Sequence, residues 1–126
     1  MARHKSPHLT DAELRLMDIL WDKGPSTVTD VMEGLPAKPA LAYSTVITTL
    51  RILETKGYAR HKKEGRAFLY EPLIGRGEAR RGAISSLVGR FFEGSPELLM
   101  AHLFEDKKIS ARELERLRKR IREERS

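Results

Sequence analysis

Glycine and proline divide the first seventy residues into three helix-length segments and one hairpin, and this punctuation limits the possible folds more than any other feature. Thr10 and Glu13 have the spacing of a capping box at the start of the first segment, which stops at Gly24. A short second segment follows, and a third spans Tyr43–Lys56 with Gly57 as its C-cap. The residues predicted to face inward, at helical spacing, are Leu14, Met17, Leu20, Trp21, Val28, Val31, Met32, Val46, Leu50 and Leu53.

Two short runs of strand-forming residues follow the third helix. The predicted strands are Tyr58–Lys62 and Arg66–Tyr70, joined by a turn that contains Gly65. The aromatic side chains expected to point inward and close the core are Tyr58, Phe68 and Tyr70. Three helices followed by a hairpin are the plan of a winged helix-turn-helix, a module that recognises DNA.

The rest of the chain predicts three more helices after a polar, glycine-containing linker. Ser95 is a predicted N-cap before Pro96, and Ser110 and Glu113 have the spacing of a second capping box. The expected organisation is a flexible basic tail at residues 1–8, a winged helix-turn-helix at 9–73 and a helical dimerisation domain at 74–126. A helical piece of this size has too little core to stand alone, so a dimer interface is expected. The residues of this predicted apolar seam are Leu87, Phe91, Leu98, Leu99, Leu103, Leu114, Leu117 and Ile121.

The outer side of the third helix carries small hydroxyl side chains instead of the usual glutamates and lysines. A helix that enters the DNA major groove needs small polar residues and a few long donors there, since acids would repel phosphate. The residues that meet this need are Ser44, Thr45, Thr48, Thr49 and Arg51. The alternative is a threonine-rich face turned to solvent, which costs helix propensity without a compensating contact.

The hairpin turn that follows is basic. Lys62, Lys63 and Arg66 are expected at its tip, where they could reach a phosphate or the minor groove next to the third helix. Lysines on a short exposed strand also serve to block aggregation, so the turn alone decides nothing. Because the turn follows a predicted helix-turn-helix, DNA binding is favoured over protection from aggregation as the role of these cations.

Composition narrows the function further. The net charge of +6 favours a polyanionic partner, and the absence of cysteine fits a reducing cytoplasm. No run is apolar enough for membrane insertion, and the start lacks the apolar core of a signal peptide. We therefore expect a cytoplasmic protein. No nucleophile elbow, phosphate loop or metal-ligand motif is present, so no enzyme activity, cofactor or metal is expected.

Three stretches resemble the BlaI/MecI-type penicillinase-repressor family of transcriptional regulators, in the family's order. They are LTDAELRLMDILWDKGPSTVTDVMEGL, LAYSTVITTLRILETKGYARHKKEGRAFLYEP and LVGRFFEGSPELLMAHLFEDKKISARELERL. The resemblance implies a cytoplasmic homodimeric repressor that binds an inverted-repeat operator in double-stranded DNA and regulates antibiotic resistance. The DNA-contacting residues that it implies are Tyr43, Ser44, Thr45, Thr48, Arg51 and, in the wing, Arg66.

The resemblance also implies a way to relieve repression. In the family, a membrane-bound sensor metalloprotease cuts the C-terminal part, which weakens the dimer and releases DNA. Staphylococcal members are cut between Asn and Phe, and the matching pair here is His102 and Leu103. The copper-responsive branch binds metal through C-terminal cysteines, and a chain without cysteine falls outside that branch.

Together these features predict a mainly α-helical chain with a small β-hairpin, acting as a dimeric DNA-binding repressor. A rival interpretation is a winged-helix adaptor that binds another protein, with the hydroxyl face as its docking surface. The two differ in salt dependence, because only DNA binding releases many counterions.

Overall fold

The computed structural model of the chain describes residues 8–38, 40–105 and 110–125. It confirms a mainly helical chain with a small antiparallel hairpin, arranged as a winged helix-turn-helix followed by three helices. The predicted tail at residues 1–8 lies outside the described residues except for His8. The elements are α1 (Asp11–Lys23), α2 (Val28–Gly34), α3 (Tyr43–Lys56), β1 (Ala59–Glu64), β2 (Ala67–Pro72), α4 (Arg76–Phe91), α5 (Pro96–Glu105) and α6 (Ala111–Arg125).

Side-chain caps set the starts of the first two helices. Thr10 and Glu13 form the predicted capping box at α1, each bonding to the other's backbone N–H. Thr27 caps α2 and forms a capping box with Asp30. The neighbouring Ser26 forms an isolated antiparallel β-bridge with Tyr70 of β2.

The core of the first unit lies between α1, α2, α3 and the base of the hairpin. Leu16, unmentioned in the sequence prediction, is fully buried there, whereas Leu14 is 43% exposed, so its predicted inward position is wrong. Leu14 lies about 100° around α1 from the row of buried residues Glu13, Met17 and Leu20, so its side chain points away from the core. The buried apolar residues are Leu16, Met17, Ile19, Leu20, Val31, Val46, Leu50, Leu53, Tyr58, Ala59 and Tyr70.

One ion pair joins α1 to α3. The Nζ of Lys56 lies 2.7 Å from Oε1 of Glu13, whose side chain is only 6% exposed. Burial raises the pKa of Glu13, but the hydrogen bonds from Lys56 and Thr10 outweigh it and leave the pKa below its ordinary value. The ionised carboxylate is therefore stabilised by folding.

Glu13→Gln is expected to lower the free energy of unfolding by about 1–2 kcal/mol at pH 7, because the charge-assisted bond to Lys56 is lost. Since the pKa of Glu13 is lower in the folded chain, its contribution is complete above about pH 5 and is lost as the pH falls through the folded-state value. Urea unfolding at pH 7 and at about pH 3 measures this. Asp11→Asn, at an exposed carboxylate of the same helix turn, is the control.

The first turn of α4 is fastened to the end of α1. Trp21 Nε1 donates to the carbonyl oxygen of Ile74 at 2.9 Å. The guanidinium of Arg76 lies 5.2 Å from the centre of the Trp21 ring and donates to Oδ1 of Asp22 at 2.9 Å. These contacts start the helix at Arg76, inside the segment predicted as a glycine-containing linker. The first compact unit accordingly extends to Ile84.

The second unit begins at Ser85 and contains the end of α4 with α5 and α6. Ser95 and Ser110 cap α5 and α6 as predicted, accepting from the backbone N–H of Leu98 and Glu113 at 3.1 Å each. The helices that the structure describes lack the length and hydropathy of a membrane span.

Candidate nucleic-acid interface

The outer side of α3 is open to solvent over its whole length. The predicted DNA-contacting residues of this helix are all exposed. Its first turn contains no acid, so the positive end of the helix dipole is not neutralised there. A phosphate-bearing partner can therefore approach this side without repulsion from the first turn. The exposed residues are Tyr43, Ser44, Thr45, Thr48 and Arg51.

Thr49 does not belong to this face, which corrects the sequence prediction. It is only 8% exposed, and its hydroxyl donates to the carbonyl oxygen of Thr45 at 2.7 Å. A threonine can satisfy its hydroxyl on the preceding helical turn, so a row of hydroxyl residues in a sequence need not share one surface. The face is narrower than predicted and is formed by Ser44, Thr45 and Thr48.

The wing, defined as β1, β2 and their turn, has two different faces. Both strands are displaced by one or two residues from the prediction, and Gly65 takes the left-handed conformation in the turn. Residues that oppose each other in this register share a face, and the face alternates along each strand. The α3-side face carries His61, Lys63, Phe68 and Tyr70, and the outer face carries Arg60, Lys62 and Glu71.

On the outer face, Glu71 holds two cations. Its Oε1 is 2.7 Å from Nε of Arg60, and its Oε2 is 3.7 Å from Nζ of Lys62. The hydrogen bond from Arg60 lowers the pKa of Glu71 below its ordinary value, so the carboxylate stays ionised. The charge of Lys62 is thereby partly compensated within the wing.

The other cations have no such partner. Lys63, Arg66 and Arg51 are exposed and form no ion pair with any residue in the described ranges. Lys63 lies across from Phe68 on the α3-side face. Uncompensated donors thus lie on the third helix and on the wing surface that adjoins it, which is an arrangement suited to a polyanion.

Phe68 corrects the prediction that all three hairpin aromatics close the core. Tyr58 and Tyr70 are buried as predicted, but Phe68 is 50% exposed. It lies two ladder pairs closer to the tip than Tyr70, beyond the reach of the core. An exposed phenylalanine beside a lysine adds an apolar contact to a surface that is otherwise polar.

A contact that the sequence did not predict joins the wing to α3. Nδ1 of His61 lies 2.8 Å from Oε1 of Glu54, one helical turn after Arg51. The helical angle places Glu54 on the flank of α3, but the identity of its partner depends on the strand register. The spacing of the two residues along the chain carries no signal for this pair.

The structure leaves the predicted apolar seam uncovered. None of its eight side chains is buried in the isolated chain, and Phe91 is the most open at 67% exposed. The predicted cleavage pair, His102 and Leu103, lies inside α5, with the His102 ring 5.5 Å from that of Phe92. The roles of the seam and of the cleavage pair stay predictions.

The chain is similar to known repressors over most of its length. The sequence model of the penicillinase repressor family matches residues 9–123. The chain is 35% identical over 121 residues to the transcriptional regulator BlaI of Mycobacterium tuberculosis, covering 94% of this chain and 86% of the relative. It is 29% identical over 113 residues to the penicillinase repressor of Bacillus licheniformis, covering 90% of this chain and 88% of the relative.

A solved structure shares the fold of the N-terminal part. It is the solution structure of the monomeric form of BlaI from Bacillus licheniformis in complex with the blaP half-operator. The TM-score is 0.50 at 33% sequence identity, and the match covers 60% of this chain and 92% of that one.

Proposed function

The chain belongs to the penicillinase repressor family, and we propose that it is a transcriptional repressor that binds an inverted-repeat DNA operator as a homodimer. Family members are repressors, not enzymes. The relative solved with a half-operator supports DNA as the partner, and the family name supports a role in regulating antibiotic resistance.

The exposed side of α3 carries the proposal. Small hydroxyl residues allow the helix backbone to approach base edges, and threonine methyl groups can contact thymine methyl groups. Arg51 projects from the same side with no ion pair to any described residue, so its guanidinium is available to bind a guanine through two hydrogen bonds. Tyr43 begins the helix and is available for a phosphate contact.

The wing would supply phosphate contacts that hold α3 in register. Lys63→Ala is expected to weaken binding to operator and scrambled DNA alike and to reduce the salt slope by about 1 per protomer. Lys62→Ala should have a smaller effect, because its ammonium lies on the outer face beside Glu71. Titration of both duplexes at four salt concentrations compares the matched pair. Equal losses in the two variants would contradict this division of the wing.

Dimer formation would rest on the apolar seam of the second unit. Large apolar side chains exposed together mark interaction surfaces in soluble proteins. A single winged helix makes few phosphate contacts and binds weakly, whereas two linked copies combine their contacts and also measure half-site spacing. The proposed dimer therefore determines both affinity and operator symmetry.

Relief of repression would act through α5. This helix contains no buried residue in the isolated chain, so few contacts within the protomer oppose its local unfolding. We propose that a membrane-bound sensor metalloprotease cuts between His102 and Leu103 after the helix opens, because an extended strand is the form in which many proteins bind peptides. Loss of the sequence beyond the cut would remove Leu114, Leu117 and Ile121 from the seam.

The test is selection of bound fragments from genomic DNA, followed by titration of the best site against a scrambled duplex. We expect a palindromic site, two protomers per site, strong preference over the scrambled duplex and a steep salt slope. Weak binding without sequence preference would overturn the proposal and favour the adaptor, whose binding would depend only mildly on salt.

A further inference from the structure

One carboxylate at the end of α3 accepts hydrogen bonds from two atoms of a single wing residue. Oε1 of Glu54 lies 2.8 Å from Nδ1 of His61, and Oε2 lies 3.4 Å from its backbone nitrogen. The contact is partly sheltered, with the Glu54 side chain 25% exposed. Both the ring and the backbone of β1 are therefore tied to the same helix position.

The imidazole of His61 is also held from the wing itself. Its ring packs edge-on against Phe68 at 5.2 Å and lies 5.6 Å from the ring of Tyr70. Tyr70 is in turn fixed by two backbone hydrogen bonds to Ser26, at 2.8 and 2.9 Å. His61 therefore contacts α3 through Glu54 and β2 through Phe68 and Tyr70, and so connects the helix to both strands of the wing.

Glu54 and His61 lie between the cation of α3 and the cation of the wing that have no ion pair among the described residues. Arg51 lies one helical turn before Glu54, and Lys63 lies two residues after His61 on the same face of the hairpin. A change in the angle between helix and wing would move Lys63 relative to Arg51. If both contact DNA, that angle determines whether they reach the same duplex segment.

We propose that Glu54 and His61 form a clamp that sets the angle of the wing against α3, making both of them positioning residues for operator recognition. This inference rests on the proposed function. A carboxylate beside a DNA-binding surface is unfavourable on Coulombic grounds alone, since it repels phosphate. Within the clamp, the carboxylate of Glu54 positions the wing, and this contribution to operator binding exceeds the cost of repelling phosphate.

The sign of the effect separates a clamp from a simple charge. Removing a carboxylate from the interface should tighten binding to every duplex if charge is all that matters. Loosening a clamp should instead weaken operator binding and reduce the preference over scrambled DNA. Glu64 provides the matched control, because it is an exposed carboxylate at the wing tip that does not contact His61 in any described hydrogen bond.

The experiment compares Glu54→Met with Glu54→Gln on the full chain. Both remove the same charge, but only the glutamine keeps an oxygen that can accept from His61. We expect the methionine variant to lose operator preference by about tenfold, within the range for a misplaced base contact, and the glutamine variant to retain most of it. Glu64→Met should tighten binding to both duplexes and keep the preference.

A second variant keeps the test independent of charge and of folding. His61→Phe preserves the packing against Phe68 and Tyr70 and leaves the Glu54 side chain unchanged, but it removes the Nδ1 donor. It should also lose preference while its melting temperature stays close to that of the wild type. A wild-type preference for the operator over scrambled DNA in Glu54→Met and His61→Phe, as in Glu54→Gln, would overturn the clamp. Absence of preference in the wild-type protein would overturn the proposed function and the clamp with it.

Discussion

Phe91→Asp is expected to lower affinity for the full operator by about 10²–10⁴-fold, the advantage that linking two binding modules confers. Phe91 belongs to the predicted apolar seam and is 67% exposed in the isolated chain, so the substitution should not disturb the fold of the protomer. In a dimer, the carboxylate would be buried against apolar side chains without a partner, which is strongly unfavourable. Affinity for a half-operator duplex should stay unchanged, because no DNA-contacting residue is altered.

Sedimentation equilibrium together with titration of full and half operators measures this effect. Leu73→Asp is the matched control, since Leu73 is also an exposed apolar residue but lies outside the seam. It should leave the dimer intact. A Phe91→Asp protein that remains dimeric and binds the full operator as the wild type does would remove Phe91 from the interface.

The second large effect concerns Arg51. Arg51→Ala is expected to weaken operator binding by about 1–3 kcal/mol per half-site, the discrimination that a bidentate base contact provides. Loss at scrambled DNA should be smaller, because only the general attraction of one cation disappears there. Competition titrations against both duplexes give the two losses separately.

Arg51→Lys refines the interpretation, because lysine keeps the charge but lacks the planar fork of donors. It should restore binding to scrambled DNA while leaving the operator preference reduced. An Arg51→Ala protein with unchanged operator affinity would show that Arg51 does not contact a base.

The sequence predicted α3 with its observed bounds, Tyr43–Lys56, because the local signals at both ends agree. Val46, Leu50 and Leu53 form one row at helical spacing, and Gly57 takes the left-handed C-cap conformation that few other residues tolerate. The N-caps of α1, α5 and α6 were predictable because each depends on residues three positions apart.

Three features of the site could not be predicted from the sequence. The contact between Glu54 and His61 depends on the strand register. A shift of one residue would move the His61 side chain to the other face of the hairpin. Aromatic residues in a small hairpin commonly close the core, which predicts an inward Phe68, yet only Tyr58 and Tyr70 of the three lie near enough to the base. Thr49 turned inward because its hydroxyl could be satisfied on its own helix, a choice that residue type alone does not reveal.

The contact between Trp21 and Arg76 also provides an optical reporter. The chain contains one tryptophan, so its emission arises from a single place, at the junction of α1 and the first turn of α4. A guanidinium above the ring and a hydrogen-bonded indole N–H both affect the excited state of this side chain. Detachment of Arg76 from the ring would change the emission spectrum. The unlabelled protein can therefore report, in real time, whether its linking helix stays anchored while DNA is bound or released.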